Sequence, residues 1–136
     1  VLFRSVRVSA LTDEKVLLMT SCEAGAYNTI WLAWLVSRQR PYIAHPVRLT
    51  LPFQPPGDAP RDVELVNASY DDRHQELVTL DKGRAPGDCG IQTRWRYDGQ
   101  RFSLVRYAQQ PQCDNWQGPD AWPTLWVTRS VAHPLR

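Results

Sequence analysis

The longest apolar run in the sequence, residues 30–36 (IWLAWLV), is seven residues long, and this length limits what the chain can form. A membrane-spanning helix needs about 20 apolar residues, so the sequence predicts no membrane span. As a strand, the run would be apolar on both faces, as central strands are. A helix is the alternative, because Tyr27, Ile30 and Trp34 also fit helical spacing. We favour the strand, since bulky aromatic residues prefer a pleated sheet and no helix cap precedes the run.

Most of the remaining chain consists of short alternating segments that are separated by turn residues. Residues 47–53 (VRLTLPF) alternate apolar and polar side chains, as a half-buried strand does. Asp98-Gly99 separates residues 91–97 from 101–107, and Asp-Gly is the preferred pair for a tight hairpin turn. The other predicted strands cover residues 3–9, 16–22, 62–69, 76–80 and 124–129. The pattern predicts a mainly β fold: a single antiparallel β-sheet domain, sandwich or barrel-like, of about eight strands.

Length and charge exclude several classes of protein. The 136 residues suit a single domain, 1–136, which we expect to be monomeric. Sixteen basic and fourteen acidic residues leave a net charge of only +2, and the basic residues are scattered, which predicts no nucleic-acid partner. The three cysteines form no Cys-x-x-Cys pair and the three histidines lie far from them, so we expect no metal site and no cofactor.

The three cysteines leave one thiol unpaired, or paired outside this chain. A tight turn at Asp98-Gly99 would place Cys89 opposite Ala108, and a bend beyond it would bring Cys113 within bonding distance. Two buried free thiols are the alternative. We favour a Cys89–Cys113 disulfide, because cysteines at strand ends of small, loop-rich domains are typical of oxidising compartments. Cys22 is then the odd cysteine.

The glycine-rich loop at residues 82–90 (KGRAPGDCG) is the most conspicuous candidate surface. Its Lys82 and Arg84 could bind an anion, with Asp88 orienting Arg84. The loop lacks the Gly-Lys-Ser/Thr sequence and the following helix of a phosphate-binding P-loop. We favour a structural interpretation, in which Asp88 caps turn amides and Arg84 pairs with a carboxylate that fixes the loop.

Tyr27 and Asn28 follow a break at Gly25 and could present a hydroxyl and an amide to a ligand. We favour a structural role for Asn28, as a side chain that hydrogen-bonds the backbone at a strand start. The candidate binding residues are therefore Tyr27, Asn28, Lys82, Arg84 and Asp88.

Catalytic motifs are lacking: no Gly-x-Ser-x-Gly occurs, and no histidine is placed by sequence near Cys22 or a serine. Tryptophans could stack on sugars, but packing in a β core is the interpretation that we favour. The tryptophans in question are Trp31, Trp34, Trp116, Trp122 and Trp126.

Four stretches occur in an order and spacing that resembles the C-terminal part of a bacterial family, domain of unknown function 1176. They are residues 22–28, 82–90, 95–102, and Cys113 followed by 122–126. The resemblance spans about residues 16–129, and members of the family look like longer, exported proteins of Gram-negative bacteria. It implies a periplasmic location and supports the Cys89–Cys113 disulfide. It also suggests that the chain is the C-terminal part of a longer protein, whose other part could hold a partner for Cys22.

These observations give three hypotheses about function. The first is a non-enzymatic binding or interaction module of the bacterial envelope, whose partner is an envelope protein or a glycan. The second is a hydrolase that acts on a cell-wall or glycan substrate. The third is an inhibitor or immunity-type protein that blocks an envelope enzyme with a loop such as residues 82–90.

Overall fold

The computed structural model describes residues 5–113 and 117–128. Within them the chain forms twelve strands and one turn of 3-10 helix, Pro119–Ala121. The strands are β1 (Val6–Ala10), β2 (Lys15–Ala24), β3 (Thr29–Ser37), β4 (Ala44–Pro46), β5 (Leu49–Thr50), β6 (Asp62–Val63), β7 (Leu65–Val66), β8 (Ser69–Asp71), β9 (Glu76–Lys82), β10 (Gly90–Tyr97), β11 (Phe102–Gln110) and β12 (Thr124–Val127).

The strands form two five-stranded sheets and one two-stranded sheet, all antiparallel. The first sheet has the order β1-β2-β3-β4, and β7 pairs with the start of β3. The second sheet has the order β12-β11-β10-β9-β8, and β5 pairs with β6 between the two. The predicted mainly β, antiparallel fold is confirmed. Among the described residues no sheet closes into a barrel, so the barrel-like alternative does not apply.

One hydrophobic core joins the two large sheets. Its largest buried side chain is Trp95 of β10, which is fully inaccessible to solvent. Burying a large apolar side chain stabilises the folded state by about 1.5–3 kcal/mol, so the residues of this core contribute strongly to folding. The core residues are Leu17, Met19, Trp31 and Ala33 from the first sheet, Leu77, Trp95, Phe102, Leu104 and Tyr107 from the second, and Leu49, Leu51 and Ala68 from the segments between them.

The apolar run at residues 30–36 is strand β3, as predicted, and the helical alternative is wrong. Its Trp31 and Ala33 side chains are buried in the core, whereas Leu32 between them is 43% exposed. The run therefore packs one face on the core and presents its other apolar face outwards.

Two predicted strands are shorter than expected. In residues 47–53 only Leu49–Thr50 pairs in a sheet, because Pro52 has no N–H to continue the ladder. Residues 62–69 are divided into β6, β7 and the start of β8, and Asn67 adopts a φ of 47° between them. The predicted strands 3–9 and 124–129 extend at one end outside the described residues.

The β10–β11 hairpin differs from its prediction in register. Tyr97 pairs with Phe102, so the turn contains four residues instead of two, and the Asp98 carboxylate accepts the backbone N–H groups of Gln100 and Arg101, each at 2.9 Å. A register shift follows between Arg94 and Trp95. The predicted pairing of Cys89 with Ala108 is wrong.

The corrected register also changes the position of the cysteines. Gly90 pairs with Gln110, whereas Ala108 pairs with Gln92. Cys89 therefore lies nearer to Cys113 than the two-residue turn implied, and no large bend is needed to join them.

Candidate functional site

The predicted disulfide is present between Cys89 and Cys113, with an S–S distance of 2.08 Å and a Cα–Cα distance of 4.7 Å. It joins the start of β10 to the segment that follows β11. Cys89 is 1% exposed, so the bridge is shielded from solvent on that side. Cys22 is a half-buried free thiol.

The loop at residues 82–90 is built closely around this bridge. The Gly83 N–H donates to the Cys89 carbonyl at 3.0 Å. A Cβ atom on Gly83 would lie 2.8 Å from the Cys89 Sγ, and one on Gly90 would lie 2.0 Å from the Asp81 carbonyl oxygen. Gly90 also has a φ of 139°, which side chains rarely allow. Gly90 is therefore required by the close approach of the Asp81 backbone, and Gly83 by that of the Cys89 sulfur.

Arg84 and Asp88 bind one another across the loop. The Arg84 guanidinium donates to both Asp88 carboxylate oxygens, at 2.8 and 2.5 Å, and also to the Cys113 carbonyl oxygen. The hydrogen bonds from Arg84 lower the pKa of Asp88. This geometry is the one expected from the structural interpretation, because the ion pair holds the loop against the disulfide-bonded segment.

Tyr27 and Asn28 lie against the same loop, although more than fifty residues separate them from it in sequence. The Tyr27 hydroxyl donates to the Gly83 carbonyl at 3.2 Å. The Asn28 amide donates to the Lys82 carbonyl at 3.0 Å and accepts the Lys82 N–H at 3.1 Å, as a backbone group in a ladder would. Asn67 extends the network by donating to the Asn28 amide oxygen at 2.7 Å.

The structure thus brings the five predicted binding residues together around one loop. The side chains of Tyr27 and Asn28 bond to the loop and link the first sheet to it, and those of Arg84 and Asp88 bond to each other within it. A ligand bound here would compete with these hydrogen bonds, so ligand binding by this cluster stays a prediction.

Sequence reasoning missed an apolar surface on the first sheet. Residues that pair across antiparallel strands share a face, and the rows opposite the core face contain almost only apolar side chains. These rows are Val6–Thr20–Leu32, Val8–Leu18–Trp34 and Ala10–Val16–Val36. We call them the outer face of the first sheet. Val6, Val8 and Leu32 are 61%, 63% and 43% exposed. The signal in the sequence was the run at 30–36, which is apolar on both faces.

A second missed feature is a cavity of about 160 Å³ between the second sheet and the segment from β5 to β7. Residues from three neighbouring strands of the second sheet line one side of it, and residues 51–66 line the other. The polar lining residues are Asp62, Glu64, Thr79, Asp81, Thr93 and Tyr107. No local sequence pattern indicates it, because its walls are far apart in the chain.

Across residues 5–113 and 117–128, no group of three His, Cys, Asp or Glu side chains could hold a metal ion. In the same part of the chain, no helix is long and apolar enough to cross a membrane.

Comparison with known proteins gives a family but no activity. The model of a family described as "Protein of unknown function (DUF1176)" matches residues 3–129. A curated relative, "Uncharacterized protein YpfG" of Escherichia coli (strain K12), is 65% identical over 126 residues, which are 93% of this chain and 36% of the relative. The chain thus spans about a third of that relative's length, and no solved structure matches. Because the family model covers nearly the whole sequence, the chain belongs to the DUF1176 family.

Proposed function

We propose that this domain is a non-enzymatic interaction module of an exported, periplasmic protein. Its binding surface is the outer face of the first sheet, and the partner that covers this face is the remaining part of the longer family protein. The observation that carries the proposal is that adjoining rows of apolar side chains on this sheet reach solvent, with Val6, Val8 and Leu32 the most exposed.

The chemistry of the outer face favours a permanent contact. Its three rows contain no charged side chain, and Val8, Leu18 and Trp34 lie side by side in the central row. Soluble monomers rarely expose large contiguous apolar patches, and those that do use them for binding. Obligate interfaces are more apolar than transient ones, so a partner that is always present fits this face best.

The length of the family protein supports this choice of partner. The matched residues make up 36% of the curated relative, which leaves about two thirds of it outside the domain described here. A chain segment that is tethered to the domain binds it at a high effective concentration. We therefore expect the longer protein to be a monomer in which this face is covered from within.

The disulfide supports a periplasmic location. Cytosolic reductants keep thiols reduced, whereas the bacterial periplasm forms and preserves disulfides. The bridge between Cys89 and Cys113 holds the loop on which several candidate residues lie, so the domain gains from folding in an oxidising compartment.

The other hypotheses have less support. A hydrolase would need free ionisable groups at the loop, but Arg84 and Asp88 bind each other there. The fixed loop would suit an inhibitor, since pre-organisation lowers the entropy cost of binding. For a glycan partner, Trp31 and Trp122 are 5% and 2% exposed and offer no stacking surface, whereas Trp34 and Trp126 are half-buried. Trp116 lies outside the described residues.

A charge placed on the outer face tests the proposal. In the 136-residue chain, Leu32→Glu should change the free energy of unfolding by no more than about 0.5 kcal/mol, as exposed substitutions do. In the longer protein the same substitution should cost about 2 kcal/mol or more, because the carboxylate would be buried without a partner. Urea unfolding of both proteins measures the difference.

Leu125→Glu is the matched control, since Leu125 on β12 is 51% exposed and lies outside the outer face. It should be neutral in both proteins. An equal, small effect of Leu32→Glu in both would show that nothing covers the face. A dimer of the longer protein that Leu32→Glu dissociates, seen by sedimentation, would assign the face to a second copy instead. Recovery of the longer protein in the cytosolic fraction with reduced cysteines would contradict the periplasmic location.

A further inference from the structure

The cavity beside the second sheet has an acidic mouth. Asp62, Glu64 and Asp81 line it and are exposed, and no lysine, arginine or histidine is among its lining residues. Within the described ranges, none of these three carboxylates takes part in a salt bridge. Although Asp81 reaches solvent, partial desolvation by the neighbouring side chains raises its pKa. A positive charge at the mouth would therefore be stabilised.

The floor of the cavity holds buried hydroxyl groups with hydrogens to donate. Thr79, Thr93 and Tyr107 are 3%, 1% and 3% exposed and line the cavity from one row of the second sheet. The Tyr107 hydroxyl has no hydrogen-bond partner among the described residues. Buried polar groups are nearly always paired, so an unpaired hydroxyl that lines a cavity indicates a missing acceptor.

The two threonines leave a second donor unpaired. The Trp95 indole N–H donates to the Thr93 hydroxyl oxygen at 2.6 Å, and the Thr79 and Thr93 hydroxyls bond to each other. That bond uses one of the two hydroxyl hydrogens. The other has no acceptor in the part of the chain that the structure describes. The floor therefore offers two donors, this hydrogen and that of Tyr107, while the walls between floor and mouth are apolar.

We propose that this cavity is a binding site for a compact organic cation, with an ammonium group at the mouth, an apolar body inside and an oxygen acceptor at the floor. Its volume of about 160 Å³ fits a six-membered ring, since a cavity of about 150 Å³ in another protein binds benzene. The site does not depend on the outer face of the first sheet, because it lies on the core side of the second sheet.

Three related compounds distinguish the contribution of the ammonium group to the affinity from that of the ring oxygen. Tyramine carries both the ammonium and the ring oxygen, phenethylamine lacks the oxygen, and p-cresol lacks the ammonium. We expect tyramine to bind the chain with a saturable change in the NMR spectrum, and each of the other two to bind roughly tenfold more weakly, the effect of losing about 1.4 kcal/mol.

Two substitutions test which residue binds the ammonium group of the ligand and which binds its oxygen. Asp81→Asn should weaken tyramine roughly tenfold, the size of a lost charged hydrogen bond, and leave p-cresol unchanged. Tyr107→Phe, which keeps the ring, should weaken tyramine and leave phenethylamine unchanged. Saturating tyramine should also lower the apparent pKa of Asp81 in a carboxyl NMR titration.

Asp72→Asn is the matched control for charge, since Asp72 is exposed and does not line the cavity. It should not change the affinity for tyramine. Absence of saturable tyramine binding in a folded chain, equal binding of tyramine and p-cresol, or full affinity in Asp81→Asn would each overturn the proposal.

Discussion

The two five-stranded sheets share one core but have opposite outer surfaces. The outer face of the first sheet is made of valine, leucine, alanine and tryptophan, with Thr20 as its one polar residue. The corresponding face of the second sheet carries three arginines, Arg94, Arg96 and Arg106. The first two pair with carboxylates, and Arg106 donates hydrogen bonds to uncharged oxygen atoms. An antiparallel sheet with one solvated face usually carries polar side chains on that face, and of the two large sheets only the second follows this pattern.

The polar side chains on the outer face of the second sheet form ion pairs and hydrogen bonds with groups of the same chain. Arg94 lies 3.2 Å from Asp71, 3.1 Å from Glu76 and 3.3 Å from Asp120. Arg106 donates to the Trp122 carbonyl at 2.9 Å, which holds the segment before β12 on the sheet. Residues 117–123 therefore supply hydrogen-bond partners for this face from the same chain, whereas the outer face of the first sheet carries no charged side chain.

Loss of the disulfide should have the largest effect on the free energy of unfolding, and it would act on the second sheet, where the bridge joins the start of β10 to the segment after β11. Cys89→Ser with Cys113→Ser removes a link across 24 residues, and the greater freedom of the unfolded chain should lower the free energy of unfolding by about 3 kcal/mol. Urea denaturation under oxidising conditions measures it. Cys22→Ser is the control and should change stability little. A similar loss in both variants would mean that the bridge is not the source of the effect.

Loss of the ion pairs of Arg94 should have the next largest effect on the free energy of unfolding. Arg94→Met keeps most of the side-chain volume but leaves the Glu76 carboxylate, 6% exposed, with Arg96 alone. We expect a loss of about 2 kcal/mol, the cost of an unsatisfied buried charged group that is partly compensated. Chemical denaturation measures it.

Arg96→Met provides the comparison, because the Arg96 side chain is 57% exposed and Arg94 still holds Glu76. Its loss should be less than half that of Arg94→Met. If both variants were neutral, the polar face would contribute nothing to stability, and the contrast between the two sheets would be one of solubility only.

Sequence reasoning located the strands because the alternation of side chains is a local property. It failed on register, since the four-residue turn after Tyr97 and the shift at Trp95 depend on how the strands pack. The discontinuity at Asn67 was missed for a related reason. Its amide bonds to the Leu80 carbonyl and to Asn28, two partners that are distant in sequence.

The candidate surfaces divide in the same way. The loop at 82–90 was visible because its glycines and charges are consecutive. The cavity was not, because Thr79 of β9, Thr93 of β10 and Tyr107 of β11 come from different strands and only the register brings them together. The outer face of the first sheet lies between these cases: the run at 30–36 indicated a second apolar surface, but not which of its two faces was covered.

The smallest expected effect is on the pH dependence of the free energy of unfolding. This dependence should come from the second sheet and not from the outer face of the first. Hydrogen bonds from the His74 side chain, the His74 backbone N–H and Arg94 lower the pKa of Asp71 from 3.8 to about 2. A carboxyl with a lowered pKa in the folded state contributes stability above its unfolded value, and that contribution is lost as the pH falls through about 2. The free energy of unfolding should therefore decrease between about pH 4 and pH 2, and Asp71→Asn should reduce the slope. Asp72→Asn is the control, and the three rows of the outer face contain no titratable side chain that could add to the slope. An unchanged slope in Asp71→Asn would mean that the acid sensitivity lies outside the second sheet's network.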